Sequence, residues 1–533
     1  MRTVTLRRPL AAHWRVRGTP SPPRFLSRAA LSTTATTPPS PSSSAPWDSA
    51  APRPFVVLGI ETSCDDTAVA VVRSDGVILG EAIQSQEEVH EKWGGVMPAL
   101  ARDTHAEVID RVFLKALERA GIPPTLEGVD AVAVTTGPGL ELCLRVGTTF
   151  AQDLAGRTGK PFVGVNHLEA HCLTPRLVDP GLTFPYVSLL VSGGHCQIVL
   201  CKDLGDYAVL GSTLDDAVGE AFDKAARMLG LPVGGGGGPA LEALARHGDP
   251  HAFRFTVPMR RRKGCDYSYS GLKNNFRLAI LRAVAEMDVG VSVSAGAGDG
   301  DSDGDGDGDR DRDRDRDSAA SGESEDGSGR NYGIGSVLPD SVRADLAASF
   351  QHAALLHLEE RLQRAMLTLP LPPLEPNSGG EERGEERGEV EVEVDVEEET
   401  NGTATPMAAI ATPPTTIPAA SLVVCGGVAS NQELRSRLQA LCDYRGLPPP
   451  LPPSPSHARK GVGNDTSSSN VPKRREFDRP WRLVTPPIRL CTDNGVMVAW
   501  AAIENLRRGF VAEDPHQPNI RARWPLHSLI PHT

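Results

Sequence analysis

The chain has 533 residues, a formal net charge of −13 and nine cysteines with no C-x-x-C pair among them. That length admits two or more domains. The cysteine spacing argues against a zinc ribbon and a disulfide scaffold, and no apolar run is long enough to span a bilayer, so a soluble protein is expected.

The acidity is local. Residues 299–326 hold 13 acids against 4 arginines, and residues 375–399 hold 12 acids against 2 arginines. These two stretches contribute −19, which exceeds the −13 of the whole chain, while residues 1–47 contribute +7. The rest is close to neutral, so the net charge does not argue against a polyanionic partner such as RNA. The N-terminus is rich in Arg, Ser and Thr, and its first acid is Asp48. That composition fits an organelle transit peptide, expected over about residues 1–50. Three low-complexity insertions are expected at about 288–335, 371–419 and 447–480, where apolar residues are too few to offset the entropy of ordering.

The remaining body alternates strand and helix. Phe55–Ile60, Ala68–Val72 and Val77–Gly80 read as an antiparallel meander with short polar turns. Val129–Thr135 follows a helix over Thr104–Ala120 and precedes one over Leu142–Gly156. Pro161–Val165 is a further strand. Tyr186–Val191, Gln197–Leu200 and Tyr207–Leu210 repeat the meander. Helices are then expected over Asp216–Leu229, Ser341–Leu367, Asn431–Arg445 and Gly495–Arg508, with strands at Leu422–Cys425 and Ile488–Leu490. The plan is an internal duplication of one α/β unit, with copies starting near Phe55 and Tyr186. The expected division is an N-terminal lobe over 51–185 and a C-terminal lobe over 186–525. Two facing α/β lobes make a cleft where a nucleotide can lie.

The sharpest chemical feature is His167-Leu168-Glu169-Ala170-His171. Residues four apart share a helix face, so both imidazoles can reach one cation. An isolated H-x3-H is more often a pair of surface histidines. Glu169 stands about 200° around the helix from His167, so it is poorly placed as a base on a metal-bound water. That counts against peptide hydrolysis, the rival enzyme reading. Asp493, in Thr492-Asp493-Asn494-Gly495, is the best third ligand, although it suits an N-cap equally well.

Two glycine turns suit an anionic ligand. Val191-Ser192-Gly193-Gly194-His195 joins two strands, and Gly426-Gly427-Val428-Ala429-Ser430-Asn431 leads from a strand into a helix. Asn431 fits either a helix cap or a ribose contact. The run Gly234–Gly238 reads as partly low complexity. Acids cluster in Glu61-Thr62-Ser63-Cys64-Asp65-Asp66-Thr67, which suits metal–phosphate handling or ordinary turn chemistry. Lys92 and the run Arg260, Arg261, Arg262 and Lys263 are candidate RNA contacts by charge clustering.

GIETSCDDT, NHLEAH, LLVSGGH, GEAFDK, YSYSGLK, GGVASN and CTDNGVM occur in that order. Together they resemble the tRNA N6-adenosine threonylcarbamoyltransferase family, once labelled O-sialoglycoprotein endopeptidase, over about Phe55 to Pro525. With the Arg-rich leader, the resemblance is to its mitochondrial branch. It implies duplicated actin-like, Hsp70-like lobes of RNase H type. It also implies transfer of threonylcarbamoyl from threonylcarbamoyl-adenylate to N6 of the adenosine at position 37, beside the tRNA anticodon, with release of AMP. By the resemblance His167, His171 and Asp493 match the metal ligands. Leu190, Val191, Ser192, Gly193 and Gly194 match a substrate loop, and Asp223 matches the acid on the nucleotide sugar. Gly238 matches a further substrate contact and Asn431 the adenylate-binding Asn. One divalent iron or zinc ion per subunit, a separate synthase for the adenylate, a homodimer and a matrix location are the accompanying expectations. The family often has Glu where Asp66 stands and His where Asn166 stands. A non-enzymatic ATP-binding module is the other reading, but it has no use for a His/His/Asp site.

Overall fold

The computed structural model describes residues 53–91, 93, 95–231, 236–294, 333–369, 420–443, 481–509 and 519–529. The expected leader, the bodies of the three insertions, Lys92, Gly234 and Gly235 lie outside the described residues.

The first half runs β1 (Val56–Glu61), β2 (Asp66–Arg73), β3 (Ile78–Ser85), α1 (Glu87–Glu91), α2 (Pro98–Ala120), β4 (Ala131–Gly137), α3 (Glu141–Thr158), β5 (Phe162–Asn166) and α4 (His167–Val178). The second half runs β6 (Tyr186–Val191), β7 (Cys196–Asp203), β8 (Asp206–Ser212), α5 (Val218–Met228), α6 (Gly237–Ala245), α7 (Ser270–Ser294), α8 (Asp340–Thr368), β9 (Ala420–Cys425), α9 (Gln432–Asp443), β10 (Trp481–Val484) and α10 (Gly495–Arg507). The inner strands β1, β4 and β6 are buried at every position. Continuous apolar sequence is what a sheet covered on both faces requires.

The first sheet has the order β3-β2-β1-β4-β5, and the second, read from its other edge, β8-β7-β6-β9-β10. In each, the three-stranded meander is antiparallel and the two later strands join in parallel. Position for position the two sheets have one topology, which is the duplication expected from the sequence.

Three local expectations are corrected. Ile488–Leu490 is a 3-10 turn, and the strand beside β9 is the earlier Trp481–Val484. Pro486 and Pro487 lack the N–H donors that a ladder needs and leave only a short apolar triplet. Helix α7 continues to Ser294, past the expected start of the first insertion at about 288. The glycine run is also more than low complexity, because Gly237 opens α6.

Helix α10 follows the second sheet in sequence but packs on the first. Its Val496, Ala499, Trp500 and Ile503 share a core with Val57, Ala70, Val72, Ala133 and Val165. Two glycines permit this approach. A Cβ on Gly59 would lie 2.4 Å from the Gly495 carbonyl oxygen and from the Ala499 amide nitrogen. A Cβ on Gly495 would lie 2.5 Å from the Ala70 nitrogen. Those neighbours are backbone and cannot turn aside. Gly495→Ala is therefore expected to cost about 1–3 kcal/mol through overpacking, read as a lowered chemical-denaturation midpoint. An unchanged midpoint would contradict this packing account.

Candidate metal centre and substrate cleft

Helix α4 begins directly after β5. Asn166 caps it, its Oδ1 accepting from the amides of Leu168 and Glu169 at 2.9 and 3.1 Å. Asn166 Nδ2 also donates to the Trp524 carbonyl at 3.0 Å. An Asn at this position therefore fastens both the helix start and the C-terminal segment. Leu168 and Cys172 pack with Tyr186 and Leu190 of the second sheet, while Ala170 and Leu173 pack in the core shared with α10. The helix lies between the two halves, and its histidines are not surface residues: His167 is 5% exposed and His171 2%.

Both rings turn their Nε2 atoms toward Asp493. Asp493 Oδ1 is 3.0 Å from His171 Nε2 and 3.6 Å from His167 Nε2. The alternative use of Asp493 as a cap is not taken. Asn494 caps α10, its Oδ1 accepting from the Met497 amide at 2.9 Å. The three candidate ligand atoms all lie within 4.8 Å of one another. Tetrahedral ligands at metal distances of about 2.1 Å stand about 3.4 Å apart, so this spacing suits one ion.

The surroundings fit a cation. His167 Nδ1 lies 3.2 Å from Ser63 Oγ and 3.3 Å from Glu61 Oε2. A carboxylate on Nδ1 fixes the tautomer that leaves Nε2 free to ligate. Glu61 is fully buried, and Thr135 and the Ser63 amide donate to it. Burial alone would raise its carboxyl, but His167 outweighs that and holds it below the ordinary value. Burial likewise opposes a charged His167, yet Asp493 and Glu61 raise it to about 9. Desolvation also works against an ionised Asp493, and His167 and His171 hold its carboxyl far below the usual range. Buried Glu61 and half-buried Asp493 thus require positive charge between them, and without a metal a proton on His167 supplies it. Two nitrogen donors and one oxygen donor are a ligand set for a transition metal such as zinc or iron.

Glu169 points elsewhere. Its Oε1 accepts from the Tyr207 hydroxyl at 3.0 Å and the Gly205 amide at 3.3 Å. Burial pushes its carboxyl up to about 7 despite those bonds. It braces the second meander and is not a base beside the histidines.

The sequence-predicted substrate residues lie on β6 and the turn after it, on α5 and α6, and in the turn before α9. Leu190 and Val191 are buried at the end of β6, so only their backbone can meet a ligand. Ser192, Gly193, Gly194 and His195 form the turn after it, closed by the Ser192 amide on the His195 carbonyl at 2.7 Å. Among the described residues, apart from chain neighbours, nothing lies within 4 Å of a Cβ built on Gly193 or Gly194. Gly426 holds φ of 89° and would collide with Val191 if it carried a side chain, so the two glycine turns touch. The start of α5 packs behind the first turn, with the Gly219 amide donating to the Ser192 carbonyl at 3.3 Å.

On α5, Asp223 Oδ1 accepts from the Gly238 amide at 3.0 Å. Gly237 must be glycine, since its Cβ would lie 2.8 Å from the Asp223 Cα. The expected pair of Asp223 and Gly238 is therefore one local feature, with α6 starting against α5. Asn431 caps α9, accepting from the Leu434 amide at 2.8 Å, and its Nδ2 donates to Gln351 at 3.2 Å.

Two neighbours of the centre were not singled out from sequence. His195 has its ring centroid 6.2 Å from that of His167. Burial, then His167 and His171, push it down to about 4, so it is a neutral imidazole at physiological pH. Glu61 was visible only as one acid in a polar turn. Its place at the end of a fully buried strand was the signal that it could not be solvated.

A family profile described as tRNA N6-adenosine threonylcarbamoyltransferase matches residues 77–376. A probable mitochondrial tRNA N6-adenosine threonylcarbamoyltransferase of Arabidopsis thaliana is 38% identical over 482 residues, covering 89% of this chain and 75% of the relative. A tRNA N6-adenosine threonylcarbamoyltransferase of Cereibacter sphaeroides is 36% identical, covering 90% of this chain and 96% of the relative. One from Rhizobium leguminosarum is also 36% identical, over 89% and 95%.

If Glu61 sets the His167 tautomer, Glu61→Gln should lower affinity for a divalent transition metal about 10–100-fold in a competition titration with a chelator. Glu169→Gln should leave that affinity unchanged. Equal losses in both variants would remove the distinction drawn between the two acids.

Proposed function

Because the chain belongs to the tRNA N6-adenosine threonylcarbamoyltransferase family, we propose that it transfers a threonylcarbamoyl group from threonylcarbamoyl-adenylate to N6 of the adenosine beside the anticodon, releasing AMP. Membership makes it a tRNA-modifying transferase of the duplicated actin-like fold, which its two sheets of identical order display. The observation that carries the finer reading is the His167–His171–Asp493 centre next to open glycine turns.

The proposed lobes are residues 51–185 and 186–525, with α10 reaching back onto the first sheet. His167, His171 and Asp493 would hold one zinc or iron ion. When bound, that ion would supply Lewis-acid polarisation and charge neutralisation. The chain's own groups place the substrate. Amides of Gly193 and Gly194 offer donors to an anionic group, on a turn held in place by Leu190, Val191 and Ser192. Asp223, positioned by the Gly238 amide, would accept from the ribose hydroxyls, and Asn431 borders the adenylate.

The reaction needs no protein nucleophile. In the mixed anhydride the carbonyl is already activated, with AMP as its leaving group. The C–N bond to N6 forms, the C–O bond to phosphate breaks, and N6 gives up one proton. Placement and electrostatic stabilisation are the tasks left to the enzyme. Glu169, buried against Tyr207, gives a peptidase reading no base.

The Arg-rich leader and the mitochondrial relative support a matrix location. The proposed substrates are then mitochondrial tRNAs that read codons starting with adenine, with the adenylate supplied by a separate synthase and the enzyme acting as a homodimer. Among the described residues, no helix is long and apolar enough to cross a membrane.

The test combines purified chain, synthetic threonylcarbamoyl-adenylate and an unmodified tRNA transcript. The expected result is N6-threonylcarbamoyladenosine and AMP in equal amounts, with Asp223→Ala about 100-fold slower. AMP release with no modified nucleoside would overturn the reading.

A further inference from the structure

The transfer reading requires tRNA to dock, and one basic loop is built for that purpose. We infer that the exposed loop Arg261–Lys263 is a preformed docking surface for tRNA phosphates, and that buried Arg361 is the residue positioning it. This inference rests on the proposed function and adds a surface to it.

Arg361 lies in α8 and is only 1% exposed. Its Nη1 donates to the Arg262 carbonyl at 2.8 Å and the Gly264 carbonyl at 2.7 Å, and its Nη2 to the Met259 carbonyl. Arg364, one turn on, donates to the same Arg262 and Gly264 carbonyls. Three backbone acceptors are thus drawn inward onto one guanidinium. The Arg262 amide closes the turn on the Met259 carbonyl at 2.8 Å. Met259 takes a φ of 52°, a left-handed conformation that costs energy in any residue with a Cβ. A solvated loop with no task has no need of that conformation or of a buried arginine to hold it.

The charge on this loop is uncompensated. Arg260 is paired with Glu360 at 2.7 Å, so it is removed from the set expected from sequence. Arg261, Arg262 and Lys263 are exposed. Among the described residues their side chains have no recorded hydrogen bond or ion pair. Arg361 hydrogen-bonds carbonyl oxygens, and Glu360, the acid that acts on it, is ion-paired with Arg260, so the charge of Arg361 adds to theirs from beneath. The next acid along the chain, Asp266, accepts from the Ser212 amide at 3.1 Å. Two guanidinium forks and an ammonium on one turn suit successive phosphates.

The loop is also tied to the edge of the second sheet. Three residues after Gly264, the Tyr267 amide donates to the Ser212 carbonyl at 3.0 Å. The adjoining Thr213 amide donates to the Cys196 carbonyl at 2.9 Å, and Cys196 follows His195 in the glycine turn. The Thr213–Tyr267 bridge is parallel, so the chain before Tyr267 runs back along β8, and an RNA strand gripped at the loop would extend from this outer edge of the second sheet toward the glycine turn.

The experiment uses the full chain with a tRNA transcript. Replacing Arg261, Arg262 and Lys263 together by Ala should raise KM for tRNA about tenfold or more and leave kcat near the wild-type value. The slope of log affinity against log salt should fall by about two, as expected for about three phosphate contacts. Arg361→Met should raise KM similarly, and Arg361→Lys should not rescue it, because one ammonium cannot span three carbonyls. Unchanged KM and salt slope in the triple variant would overturn the docking surface. A lower Tm with wild-type KM in Arg361→Met would overturn the positioning role. Wild-type tRNA binding by the triple variant, together with loss of the polyglutamate binding seen with the unaltered chain, would assign the loop to an acidic protein instead. Filter binding of tRNA without the adenylate separates the two proposals: loop-dependent binding with no modification leaves the surface standing and defeats the transfer reading.

Discussion

Helix α10 belongs by sequence to the second half, yet it rests on the first sheet with the Gly495 carbonyl where a Cβ on Gly59 would stand. This backbone-to-backbone approach is the constraint from which the centre follows. It carries Asp493, two residues upstream, over the end of β1 and onto the histidine face of α4. Asn494 supplies the cap that α10 needs, so the Asp493 carboxylate is left for the histidines. A carboxylate more than 300 residues away in sequence thereby joins the two buried histidines in one cluster.

Burial then divides the labour among the acids. Glu61 and Glu169 are both almost fully inaccessible and both stand close to the histidines in sequence or space. Glu61 contacts a ligand ring through Nδ1, while Glu169 is turned away to Tyr207 and Gly205. One acid tunes a candidate ligand and the other ties α4 to the second meander. The distinction lies in helix geometry, since positions two apart cannot share a face. Substrate-side residues obey similar logic. Gly237 and Gly426 are glycines because neighbouring backbone occupies the space of a side chain, and those approaches bring the start of α6 to Asp223 and one glycine turn to the other.

Much of this was legible in the chain. The duplication could be read from two apolar strands, each entering a small-polar turn and a meander, because strands covered on both faces need continuous apolar sequence. The histidine spacing and the position of Glu169 were legible because a helix has a fixed period. Other features were not. Ile488–Leu490 reads as a strand by composition, but two prolines before it make it a turn and move the strand to Trp481–Val484. Helix α6 hides behind a glycine run that resembles low complexity. The role of Arg361 depends on a loop about 100 residues earlier, so no local pattern announces it. Asp493 could be proposed from sequence but not distinguished from a cap; only the placement of Asn494 separates the two.

The central claim is that the two halves of the chain build one metal centre. Elemental analysis with X-ray absorption at the metal edge, on the full chain and on Asp493→Ala, tests it most directly. The account predicts one divalent ion per chain, bound by two imidazole nitrogens and a carboxylate oxygen, and its loss or re-coordination in the variant. No stoichiometric ion in the unaltered chain, or an ion whose coordination ignores the loss of Asp493, would contradict it.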